Sequence, residues 1–374
     1  MAIEALEQFL NERAVRPGVV ALGEPTHGVE AFPRLRNDLL RRLVERDACR
    51  CVTLESDCLA GRMVDDYVRG GDGDLDQVMT EGFSHGFGAN AANRELVEWL
   101  REHNGRVRFA GFDAPMESSG AQSPREPLRL LHDFLTAQGT SVPHPWSRIE
   151  ELIGDDDRWS NPAIIMDPSQ GIGDSAEARE LRGITDDLGW LLTIQTPAFT
   201  VDTSEAELAA RSAAGLLAYH ANLARTDFEA RYARATGIRD AMMAANLAAL
   251  PRPLLIFAHN EHIRRGTTNW GDMRWSPAGA HLARTHGADY VAIATAIGTA
   301  PQLGVDAPPP DTVEGVLAAT TSEPRLLPIS ELTKEIVAAG VDLTTRTTGN
   351  RAYIPLDPAT LDGFDAVLFL PHVE

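Results

Sequence analysis

The sequence predicts an α/β protein: a mostly parallel central sheet flanked by helices, with an all-helical subdomain inserted into it. Three observations predict it. Six short apolar runs recur along the 374 residues, and several stop abruptly at a carboxylate or an imidazole. Amphipathic stretches with helical spacing separate the early runs, and a helical crossover of that length makes consecutive strands parallel. From about 114 to 250 the apolar runs cease and Ala/Leu/Arg-rich helical patterns replace them. The expected organisation is a first core part at 1–113, a helical insertion or cap at 114–250, and a second core part at 251–374.

The elements follow in order. Ile3, Leu6, Phe9 and Leu10 give residues 2–14 one apolar helical face leading into the first strand, VVALG, which ends in Glu24, Thr26 and His27. A helix then begins near Pro33, with Leu35, Leu39, Leu40, Leu43 and Val44 on one face and arginines, including Arg36 in its first turn, on the rest. The second strand, 51–56, carries Glu55 at its carboxyl end as the first carries Glu24. A helix at 91–103 precedes the third strand, 107–113, which ends in Asp113. Pro115, Ser118, Ser119, Gly120, Ser123 and Pro124 make a loop, as does the Asp-, Pro- and Gly-rich stretch 155–175. Helices are expected at 125–138, 176–195, 204–225 and 227–250. The strands resume at 253–259, ending in His259, then at 290–295 and 366–370, which gives a six-stranded core.

Composition narrows the function classes. A hydrophobic content of 43% supports a sizeable core, and 34 basic against 54 acidic side chains leave a net charge of −20. That charge opposes phosphate backbones and anionic lipid, so neither nucleic acid nor membrane is expected as a partner. No run approaches the roughly 20 apolar residues of a membrane helix, and the acidic start MAIEALE does not resemble a signal peptide, so a cytoplasmic location is expected. Cys49, Cys51 and Cys58 suit neither a zinc site nor a disulfide framework and are expected as reduced thiols in or near the core.

In open α/β sheets ligands collect beyond the carboxyl ends of the strands, and there Glu24, His27, Glu55, Asp113 and the HNEH segment 259–262 converge. Three chemistries compete for this group. Water-based hydrolysis needs a base, a partner fixing its tautomer and donors for an oxyanion; His27 with Glu24 or Glu55, plus Arg36 and His259, supplies them. A metal site would use His27, His259 and His262 with a carboxylate, although no HExxH helix or other compact ligand motif is present. A serine hydrolase is suggested by GFSHG at 82–86, yet a nucleophile elbow follows a buried strand, and the residues before Ser84 are polar and helix-like.

These residues resemble the erythromycin esterase family. The likeness is carried by LGEPTHG at 22–28, Phe32 and Arg36, Leu54 and Glu55, ELVEWLREHN at 95–104, GFD at 111–113, RDAMMAAN at 239–246, FAHNEH at 257–262 and FDAVLFL at 364–370. The resemblance implies a hydrolase that opens a macrolide lactone with water activated by a histidine, without a serine nucleophile. His27 would be the base and Glu24, Arg36, Glu55 and His259 its catalytic neighbours, with His262, Asp113 and Glu261 on the substrate side. It implies a small-molecule substrate, a macrolide or another bulky natural product. No metal or cofactor is expected: Arg36 would repel a cation, and Glu24 and Glu55 would raise the basicity of His27. Two rival readings keep the same residues: elimination, cyclisation or group transfer in a biosynthetic pathway, and sequestration of a ligand without turnover.

Overall fold

The structure, a computed structural model, describes residues 2–103, 105–117 and 120–374, and Trp270 by its backbone alone. Of the segments read from sequence, Met1, Asn104, Ser118 and Ser119 lie outside the described residues. Seven strands form the central sheet: β1 Val19–Glu24, β2 Cys51–Asp57, β3 Arg108–Asp113, β4 Leu254–His259, β5 Tyr290–Thr299, β6 Arg325–Pro328 and β7 Ala366–His372. Their spatial order is β6-β7-β5-β1-β4-β2-β3. All neighbouring pairs are parallel except β6 with β7. The sheet is thus mostly parallel, with one strand more than the six apolar runs announce. β6 escapes the hydrophobic pattern for a physical reason: it is a four-residue edge strand, RLLP, led by an arginine and closed by a proline, and half-buried for most of its length.

β1, β2 and β4 are buried along their whole length, as strands covered on both faces must be. One face packs against the helices Ala2–Asn11, Ala31–Glu45 and Ala91–Glu102 through Leu6, Leu39, Leu40, Leu96 and Leu100. The other receives Met243, Ala244 and Leu247 and the Ala278–His286 helix. The helices Arg125–Ala137, Trp146–Ile153, Ala176–Gln195 and Ser204–Leu223 build an apolar core of their own, with Leu131, Ile149, Leu181, Leu188 and Leu217 fully buried. The sequence pattern does not announce Trp146–Ile153; its two turns are too short for a strong periodic signal.

One helix joins the two regions. Phe228–Ala248 buries its C-terminal turns on the sheet and carries Phe228, Tyr232, Ala235, Thr236 and Arg239 on a single face at helical spacing. Among the described residues no helix is long and apolar enough to cross a membrane. Cys49, Cys51 and Cys58 are free and buried.

Candidate active site

The register of the sheet brings the expected strand-end residues together. β1 and β4 run side by side so that Glu24 lies opposite His259, while β2 joins β4 on its other edge and β3 joins β2. The β2–β3 register shifts between Leu54 and Asp57, and Glu55 lies in that irregular step. Gly23, in the middle of LGEPTHG, is required by close approach: a Cβ there would stand 2.1 Å from the Asn260 side chain. Asn260 in turn clamps β5, donating to the Thr295 carbonyl at 2.8 Å and accepting its N–H at 3.1 Å. The HNEH turn is therefore fastened across the end of β1, over the strand that delivers His27.

His27 is the most exposed imidazole of the group, with 38% of its side chain accessible. Its Nδ1 lies 2.7 Å from Glu24 Oε1, so the Nδ1–H tautomer leaves the Nε2 lone pair available, and Nε2 stands 3.8 Å from Glu55 Oε1. Burial opposes protonation of His27, but Glu55 and Glu24 outweigh it and its pKa is raised. Burial also raises Glu24, offset in part by its bond to His27.

Glu55 is the hub. Its Oε2 accepts the His259 backbone N–H at 2.7 Å, and its Oε1 lies 3.2 Å from both His262 Nε2 and Arg239 Nη2. Burial favours the neutral acid, yet His262, His27 and Arg239 hold the carboxyl well below its ordinary range. His262 is pressed between Glu55 and Asp240, whose Oδ1 is 2.7 Å from Nδ1, and these carboxylates overcome burial and keep it cationic. His259 differs: buried, it donates through Nε2 to the Pro25 carbonyl at 3.1 Å and accepts the Glu261 N–H on Nδ1 at 3.2 Å, and burial pushes its pKa down to about 3. It is a neutral brace under the His27 turn.

Two expected residues lie elsewhere. Arg36 is fully buried, stacks over Phe257 with 5.0 Å to the ring centroid and donates to Asn37 at 2.7 Å and 3.0 Å. Burial lowers its pKa to about 9, against the pull of Glu24 and Glu30, so it acts on Glu24 through space without reaching the cavity. Asp113 lies beneath the cavity lining, where it accepts two bonds from Arg239, at 2.9 Å and 2.6 Å, and lies 2.9 Å from His85 Nε2. Arg239 and His85 line the cavity where Asp113 was expected. Glu261 does reach the cavity, held by Arg264 Nε at 2.9 Å, and so does His262.

Arg239, Asp240 and His85 are the site residues that strand-end reasoning misses. Arg239 and Asp240 come from a helix more than a hundred residues from β2 and β3, although both stand in the RDAMMAAN motif. His85 belongs to GFSHG, where the serine drew attention. Ser84 is buried, accepts the Asp57 N–H at 2.9 Å and donates its own N–H to Ser56 Oγ at 2.9 Å, a loop-fastening role. The next residue, His85, takes a left-handed backbone with φ of 57°, uncommon outside glycine, and its ring turns into the cavity.

These side chains floor a cavity of about 860 Å³. Tyr219, Phe228, Tyr232 and Trp275 supply aromatic wall, and Ile354 closes it from the C-terminal loop. Among the described residues no group of three or more His, Cys, Asp or Glu side chains is disposed to hold a metal ion. His259 and His262 already spend both ring nitrogens on protein partners.

Comparison with known proteins identifies the family and the fold. The sequence profile of the family described as erythromycin esterase matches residues 44–373. Erythromycin esterase type II of Escherichia coli is 24% identical over 292 residues, covering 74% of this chain and 68% of the relative. A Bacillus cereus protein of known structure superposes with a TM-score of 0.76 at 17% identity, covering 100% of this chain and 92% of its own. A variant of the erythromycin esterase EreC in its open conformation gives 0.68 at 18% identity, with 96% and 91% covered. A succinoglycan biosynthesis protein gives 0.70 at 15%, with 99% and 91% covered. The profile spans most of the chain, and the protein belongs to the erythromycin esterase family, a family of hydrolases acting on ester bonds.

Proposed function

We propose that the protein hydrolyses a lactone or ester of a bulky natural product, a macrolide among the possibilities, with water activated by His27 and without a metal. The observation that carries this is the state of His27: Nδ1 clamped by Glu24 at 2.7 Å, Nε2 uncommitted and accessible in the cavity. In this reading a water bonded to Nε2 and to Glu55 loses its proton to His27 as its oxygen attacks the carbonyl carbon. Arg239 and His262 stabilise the tetrahedral oxyanion by their positive charge. When the intermediate collapses, the C–O bond to the leaving alcohol breaks and the imidazolium returns its proton to that oxygen, giving acid and alcohol. Glu24 orients the imidazole and stabilises its cationic form, while Arg36 tunes Glu24.

The helical segment 114–250 acts as a cap on the core formed by 1–113 and 251–374, and its aromatic wall suits a large ligand with a substantial apolar face. Substrate contacts fall to His262, Glu261, Arg239 and His85. The net charge of −20 and three free thiols fit a small-molecule enzyme of the cytoplasm that binds no nucleic acid.

The test is His27→Asn assayed with macrolides and activated esters, using chelator-treated protein of known metal content. A loss in kcat of roughly 3 to 5 orders of magnitude is expected, with the treated wild type fully active. Near-wild-type turnover by the variant removes His27 as the base. Activity that vanishes on chelation and returns with one transition metal per chain makes the imidazoles ligands instead.

A further inference from the structure

The cavity over His27 is richer in arginine, relative to carboxylates, than the chain as a whole. The chain has 34 basic and 54 acidic side chains, yet the cavity lining holds four arginines, Arg231, Arg239, Arg264 and Arg351, against three carboxylates, Glu55, Glu261 and Asp357. Two of the arginines already have ion-pair partners: Arg239 has Asp113 and Glu55, and Arg264 has Glu261. Asp357 caps the turn that follows it, accepting the Ala359 N–H at 2.9 Å, and keeps its own negative charge. Arg231 is buried and spends its terminal nitrogens on the carbonyls of Arg225 and Ile165, at 2.7 Å and 2.6 Å. No described carboxylate comes within ion-pair distance of it, so its charge persists on the wall. Arg351 is exposed at the mouth, and among the described residues its guanidinium has no hydrogen-bond or ion-pair partner.

The backbone that presents Arg351 is well fastened. Asn350 Oδ1 accepts the Ala352 N–H at 2.9 Å, and the buried Tyr353 donates its hydroxyl to Glu314 at 3.1 Å. The Ile354 N–H donates at 2.9 Å to the Pro25 carbonyl, the same oxygen that receives His259 Nε2–H. Arg351 is three residues from that anchor, a reach of at most about 10 Å, and Pro25 is two residues from His27. A rigid turn thus holds an unpaired guanidinium beside the catalytic loop, with the charge of Arg231 on the wall of the same cavity.

We propose that the substrate carries an anionic group, a carboxylate, phosphate or sulfate, set apart from the scissile ester, and that Arg351 receives it. The proposal rests on the ester-hydrolysis reading for the identity of the reaction. A guanidinium suits such a group because its planar fork matches the oxygens of all three anions.

The experiment compares 4-nitrophenyl hydrogen glutarate with its uncharged methyl ester at low ionic strength. The charged ester should be favoured about tenfold in kcat/KM, and added salt should erode the preference. Arg351→Lys should keep much of it, and Arg351→Glu should bring the charged-to-neutral ratio below one. A ratio near one in the wild type, or a preference that survives Arg351→Glu, overturns the proposal. A binding arm separates it from the reaction: the corresponding 4-nitroanilides are titrated into His27→Asn and into the double variant with Arg351→Glu. Charge-selective binding that needs Arg351, in a protein that hydrolyses neither ester, sustains the anion site and refutes the hydrolysis reading. Hydrolysis of both esters without charge preference does the reverse. Neither turnover nor charge-selective binding overturns both.

Discussion

At the carboxyl ends of β1, β2, β3 and β4, carboxylates are packed against imidazoles and an arginine: Glu55 between His262 and Arg239, Asp113 between Arg239 and His85, Glu24 against His27. The wall above them is built differently, from the faces of Tyr219, Phe228, Tyr232 and Trp275 and from arginines that meet carbonyls or solvent. The difference follows from what each region rests on. β1, β2 and β4 are held by ladders on both sides and β3 by one, so an ionic network at their ends keeps a single geometry and holds pKa values displaced. A helix face and a loop vary in shape more readily, which suits recognition. On the proposed reading chemistry falls to the edge and selection to the wall, and substitutions in the two regions should fail in different ways.

The largest failure after loss of His27 itself is expected at Arg239, the cation shared by Asp113 and Glu55. Arg239→Met removes the one guanidinium shared by two buried carboxylates, leaving Asp113 with His85 and Glu55 with His262 and His27, and breaking a buried pair of this kind costs about 3–5 kcal/mol. It also removes positive charge facing the oxyanion, for a loss in kcat of about a thousandfold. The stability loss has a definite pH sense. With the arginine gone, Asp113 loses the main cause of its lowered pKa and burial pushes it up in the folded state, while Glu55 keeps His262 and His27. The penalty is then full above that raised folded-state value and fades as pH falls through it and on through the ordinary carboxylate range. Thermal unfolding of variant and wild type across pH 3–8 checks this; a penalty independent of pH would mean that lost packing alone is responsible.

Glu24→Gln sharpens the division within the edge. The raised pKa of His27 draws on Glu24, and only neutral His27 accepts a proton, so wild-type kcat/KM should rise through a pKa above the ordinary histidine value. Removing the carboxylate lowers that pKa, moving the acid limb to lower pH, while poorer orientation cuts kcat by roughly a hundredfold. A pH–rate profile that keeps its limb in place would sever Glu24 from the titration of His27. On the wall the smallest effect is expected: Tyr232→Ala removes aromatic surface far from any proton transfer and should raise KM by about tenfold, with the loss in kcat much the smaller part. A kcat defect rivalling that of Glu24→Gln would erase the distinction between edge and wall.

Much of the edge is legible in the sequence. Apolar runs ending in Glu24, Glu55, Asp113 and His259 locate strand ends, and parallel crossovers put those ends on one side, because local pattern and the handedness of βαβ connections suffice for that inference. The LGEPTHG stretch draws attention to His27 by local sequence alone, because Glu24, three residues away, is also its partner in space. Arg239, Asp240 and His85 are not legible as partners. No local rule says that a helix near residue 240 returns to the ends of β2 and β3, nor that a left-handed turn after Ser84 aims an imidazole at Asp113.

Arg36 shows the limit from the other side. Its place at the start of a helix following β1 agrees with the sequence pattern, but a helical residue faces either the site or the core depending on rotation about the helix axis. The apolar stripe of Ala31–Glu45 turns that guanidinium inward onto Phe257. The class of fold, the strand ends and the residue types available for acid–base chemistry are written in the chain, since they depend on periodicity and short-range geometry. Which charges pair, which imidazole stays neutral and which arginine is left unpaired at the cavity mouth are decided in three dimensions. Those outcomes depend on distances between segments hundreds of residues apart and on how deeply each group is removed from water.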